Sequence, residues 1–94
     1  MIKEFKLGGR QYTVKLEEDI DDNGLGRCYA PLGLIKISKT CNGKSLPEDS
    51  MEQTLYHEVL HAMLDELGYS DLSGDETFVQ GLALMMHQFE TSKK

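Results

Sequence analysis

Leu34-Ile35-Lys36-Ile37-Ser38, followed after three residues by Asn42-Gly43-Lys44-Ser45-Leu46-Pro47-Glu48, marks the point where this chain changes its period. Before it, apolar residues recur at every second position; after it, they recur at helical spacing. Leu34–Ser38 therefore reads as a strand, and Asn42-Gly43-Lys44 as turn punctuation. Ser45-Leu46-Pro47-Glu48 has the S-x-x-E form of a capping box with a proline early in the first turn. A helix is expected over 45–67, stopped by Gly68.

Reading back from this junction, Ile2–Leu7 and Gln11–Glu17 flank Gly8-Gly9, the pattern of a β-hairpin. The acidic stretch Glu17–Gly24 reads as a solvated loop. Starting a calcium loop at Asp19, Asp21 or Asp22 puts Ala30, Leu32 or Gly33 where a closing glutamate is required. Gly26–Tyr29 is a short strand broken by Ala30-Pro31-Leu32-Gly33, so residues 1–40 are β-rich. Reading forward, Ser73-Gly74-Asp75-Glu76 is a second capping box and opens a helix over 73–90. Its stripe Phe78, Val79, Leu82, Ala83, Met86 and Phe89 is the spacing of one buried face, and Gly81 is placed to let two helices approach. Strands followed by helices give one α+β domain over 1–94: a small, mostly antiparallel sheet packed on two C-terminal helices.

Composition narrows the partners. The 94 residues carry 16 acidic and 10 basic side chains, a net charge of −6, and the basic residues are scattered. Nucleic acid and anionic membrane surfaces need a clustered basic footprint, so neither is expected as a ligand. No apolar run approaches the about 20 residues of a membrane span, and the N-terminus lacks a signal-peptide core. A cytoplasmic protein is expected. Cys28 and Cys41 read as free thiols in a reducing compartment. Oligomeric state is not legible here.

The chemistry concentrates in His57-Glu58-Val59-Leu60-His61, an H-E-x-x-H sequence inside the strongest helical segment. Positions four apart differ by about 40° around a helix axis, so both imidazoles face one side. That spacing suits two nitrogens on one zinc ion, while Glu58, about 100° away from His57, is placed to take a proton from a water on the metal. Catalytic zinc usually has three protein ligands and an open position. Glu76 is the first choice for the third ligand, with Asp75 and His87 as alternatives; as N3 of a capping box, Glu76 would only close the helix end. His87 otherwise reads as a surface or supporting residue. Asp65 reads as a solvated carboxylate, with orientation of His61 as its functional alternative.

These residues resemble the gluzincin group of zinc metallopeptidases. The segment from His57 to Met86 is similar to small phage and mobile-element metallopeptidases, whose second helix carries a ligand glutamate and, seven residues on, an alanine in an apolar stretch. Glu76 and Leu82-Ala83-Leu84-Met85-Met86 stand in those places. The resemblance implies a minimal zincin-like fold, one zinc ion on His57, His61 and Glu76, and a peptide or protein substrate. It implies an edge strand, here Leu34–Ser38, holding an extended peptide across the metal. It also implies an oxyanion-stabilising Tyr or His, for which Tyr69, Tyr29 and His87 are candidates. The expected function is peptide-bond hydrolysis with Glu58 as general base. The alternative is a non-catalytic zinc-binding or protein-interaction module on the same scaffold, which a cysteine close to His57 would favour.

Overall fold

In the computed structural model, which describes residues 1–18, 20 and 24–94, Gly8 and Gly9 take φ of 55° and 84°. Two successive left-handed residues make the turn whose twist matches paired strands. They join β1 (Glu4–Leu7) to β2 (Arg10–Glu17) in the expected hairpin. Of the acidic loop expected over 17–24, Asp19 and residues 21–23 lie outside the described residues.

β3 (Gly26–Tyr29) and β4 (Leu34–Ser38) complete a four-stranded sheet of order β1-β2-β4-β3. β4 runs parallel to β2 and antiparallel to β3, so two of the three pairings are antiparallel. The expectation that Leu34–Ser38 forms an edge is overturned: β4 is interior, and β3 and β1 are the edges. The reason is apolar content. Ile35 and Ile37 are fully buried, whereas Gly26-Arg27-Cys28-Tyr29 is only half-buried throughout. A strand apolar on its core face gains most from a central place. Gly33 (φ 59°) makes the turn into β4 possible, because a Cβ there would lie 2.2 Å from the carbonyl oxygen of Gln11.

A second, minimal hairpin follows, β5 (Thr40–Cys41) and β6 (Lys44–Ser45), turned by Asn42-Gly43 with φ of 52° and 77°. Ser45 thus belongs to a strand and caps nothing. α1 (Glu48–Leu67) starts three residues later than expected, behind Pro47, with no side-chain cap, and ends at Gly68 in the left-handed region. After the single turn α2 (Ser70–Ser73), α3 (Glu76–Ser92) begins at Asp75, whose carboxylate accepts from the Phe78 amide at 3.1 Å. The second capping box is therefore displaced too. Asp75 is the cap and Glu76 the first helical residue, so the carboxylate of Glu76 is not spent on closing its own helix.

α1 lies between the other two layers. On one side Leu55, Ala62, Met51 and Val59 pack against Tyr12, Val14, Ile35 and Ile37 of the sheet. On the other side Leu60 packs against Val79 and Ala83 of α3. Full burial of a side chain such as Val79 contributes about 1.5–3 kcal/mol. The buried face of α3 runs Val79, Ala83, His87; Phe78 and Phe89, expected on it, are exposed. Gly81 is not at the helix contact, since a Cβ built there meets nothing within 4 Å. Among the described residues no helix is long and apolar enough to cross a membrane.

Candidate metal centre

α1 and α3 run antiparallel, so the late turns of α1 meet the first turns of α3. His57 and His61, one turn apart on α1, present their Nε2 atoms 3.2 Å from each other. The carboxylate of Glu76 faces both, with one oxygen 3.0 Å from His57 Nε2 and the other 3.0 Å from His61 Nε2. The structure thus brings together the three residues that the sequence singled out. Donors on a tetrahedral zinc ion with bonds near 2.0–2.1 Å stand about 3.3 Å apart. The triangle of donor atoms matches that spacing.

The outer nitrogens of the two rings are held as well. His57 Nδ1 lies 2.6 Å from Gln80 Oε1, and His61 Nδ1 lies 3.1 Å from Ser73 Oγ. A carbonyl oxygen only accepts, so His57 Nδ1 donates to Gln80 and Nε2 is the ring nitrogen turned toward His61 and Glu76. Electron-rich atoms converging at 3.0–3.2 Å need a proton or a cation among them. This donor set fits a borderline divalent ion such as zinc.

Glu58 lies against the backbone of β3 and lines the same cleft. It is 7% exposed, and a Cβ added to Gly26 would lie 2.9 Å from its Oε2 and 2.6 Å from Thr54 Cγ2. Burial pushes the Glu58 carboxyl up to about 7, opposed by the charges of His57 and Arg27 and reinforced by that of Glu76. A carboxyl poised there exchanges a proton readily near neutral pH. Together the residues line a cleft of about 660 Å³, walled by Gly26, Arg27 and Cys28 of β3, by α1, and by Glu76 and Gln80 of α3.

The remaining candidates lie elsewhere. Asp75 caps α3. Asp65 lines the cleft, but Ser73 is the residue bonded to His61. Tyr29 and Tyr69 do not line the cleft, and Tyr69 is 57% exposed. His87 is buried rather than on the surface, at the opposite end of the helix pair. No cysteine joins the His57–His61–Glu76 group among the described residues. Burial, with the charges of Glu58, Asp65 and Glu66, pushes the Cys28 thiol up to about 12, so it stays protonated. Three contributors were missed in the sequence: Ser73, Gln80 and Gly26. Gln80 had a signal, standing one helical turn after Glu76; Ser73 and Gly26 had none without the tertiary fold.

No protein-family model, curated protein or solved structure matches the chain.

Proposed function

We propose that this chain is a zinc-dependent peptidase. The observation that carries the reading is the convergence of His57, His61 and Glu76 in a cleft that also holds the buried carboxyl of Glu58. His57, His61 and Glu76 would hold the ion and leave one position open. A zinc ion held there would supply a Lewis acid able to polarise a carbonyl and to lower the pKa of water toward neutrality.

Each remaining step falls to the chain's own residues. Glu58 takes the proton from the attacking water and returns it to the departing amine, a role matched by its raised proton affinity. Gln80 and Ser73 hold the imidazoles in one orientation. β3 is hydrogen-bonded on one side only, among the described residues, so its outer edge can pair with an extended peptide backbone. Arg27, on that strand, lines the cleft.

Zinc retained after exhaustive dialysis, and cleavage of a mixed peptide library, would be measured for wild type, His61→Ala and Glu58→Gln. The reading expects retained zinc in wild type and Glu58→Gln, loss of it in His61→Ala, and cleavage by wild type alone. Retained zinc without cleavage by any of the three returns the non-catalytic module.

A further inference from the structure

The other end of the helix pair holds a second group of metal-ligating side chains, which the proposed peptidase does not use. Asp49 and Glu52, three residues apart on the first turns of α1, face His87 on α3. His87 Nε2 lies 3.3 Å from Asp49 Oδ1 and 3.6 Å from Glu52 Oε2. The imidazole is 7% exposed, and its Nε2 is closed to solvent with no hydrogen-bond partner among the described residues.

An acid near the start of a helix ordinarily serves the helix dipole, and Asp49 does sit in that first turn. That role does not account for His87. A buried nitrogen without a partner loses the free energy of a hydrogen bond, and natural interiors keep few such atoms. His87 is also held in place, packed edge-on against the Tyr56 ring at 5.5 Å. Gln53 donates to the second oxygen of Asp49 at 3.3 Å and leaves Oδ1 turned toward the histidine. One nitrogen stands at about the span of two ligands on one ion from each of two carboxylate oxygens, and all three atoms lie within 4.8 Å of one another, a facing donor set.

We infer that Asp49, Glu52 and His87 form a second divalent-metal site, which staples the N-terminal turns of α1 to the C-terminal half of α3. The imidazole selects a borderline ion such as zinc, cobalt or nickel over calcium or magnesium. Asp49 is 68% exposed, which leaves the outer coordination positions to water. An ion bound there raises thermal stability in proportion to its occupancy.

The test does not depend on the first site. Zinc and cobalt are titrated into the His57→Ala/His61→Ala protein, with folding checked by circular dichroism. One ion per chain should bind and raise the melting temperature. Adding Glu52→Gln or Asp49→Asn, both at the surface, should weaken that binding by at least the roughly 10–100-fold that loss of an outer-shell partner costs. Adding both should abolish it. In wild type, the imidazole nitrogen resonances of His57 and His61 should move with the first equivalent of zinc and that of His87 with the second. No binding in the double-alanine protein at millimolar zinc, or a His87 resonance unmoved by the second equivalent, would overturn the inference and leave a charge cluster around a buried imidazole.

Discussion

The two ends of the α1–α3 pair carry nearly inverted donor sets. At one end α1 offers two imidazoles and α3 one carboxylate; at the other α1 offers two carboxylates and α3 one imidazole. Their surroundings differ more than their ligands. His57 and His61 have both outer nitrogens held, a cleft in front of them and a buried acid beside them. His87 has an aromatic ring on its edge and the solvated start of α1 in front. The difference teaches that a triad of ligands specifies a place for an ion, whereas hydrolysis requires a proton acceptor and a strand edge as well.

Three substitutions test that contrast, beginning with the largest effect. Glu58→Gln should lower kcat by roughly 10²–10⁴-fold, the usual contribution of a general base, with zinc affinity nearly unchanged. Steady-state cleavage at fixed zinc occupancy checks it. The same substitution should alter the stability of metal-free protein. Glu58 binds its proton more tightly in the folded chain than at its ordinary value of 4.5. Wild type should therefore lose stability as pH rises from 4.5 toward 7, by up to about 3 kcal/mol. Glu58→Gln should be flatter over that window in urea titrations, and an equally steep wild-type and variant would place the cost elsewhere.

Gly26→Ala presses a methyl group onto Thr54 and Glu58 and should cost about 1–3 kcal/mol by overpacking. It should cut cleavage while sparing zinc at the Asp49–Glu52–His87 end, which sharpens the comparison. Asp75→Ala removes the cap that starts α3 one residue before Glu76, at about 1 kcal/mol. Zinc binding at the His57–His61 end should weaken, and thermal melts with zinc titration at each end would show whether the loss stays local.

The sequence carried most of the framework because its signals were local. Gly8-Gly9 could only turn the chain, the alternation of Leu34–Ser38 could only be a strand, and the five residues from His57 to His61 needed one helical turn to converge. What escaped depended on tertiary choices. Ser45 and Ser73 had the letters of capping boxes, but a hairpin claimed the first and His61 the second. The edge strand was misplaced because alternation identifies a strand without ordering a sheet, and the order followed from how deeply Ile35 and Ile37 are buried. His87 broke the apolar stripe of its helix by type, although it lies on the buried face with Val79 and Ala83. A polar residue at a core position has to be read by its partners, and these sit 35 and 38 residues earlier in the chain.

The central claim, that the His57–His61–Glu76 end is a hydrolytic metal centre, is tested most directly by peptide-library cleavage with zinc-loaded wild type and Glu58→Gln. Both proteins would be brought to the same occupancy, and the products identified by mass spectrometry. The account predicts cleavage by wild type that a chelator stops and zinc restores, and none above background by Glu58→Gln. Equal cleavage by the two proteins would contradict it.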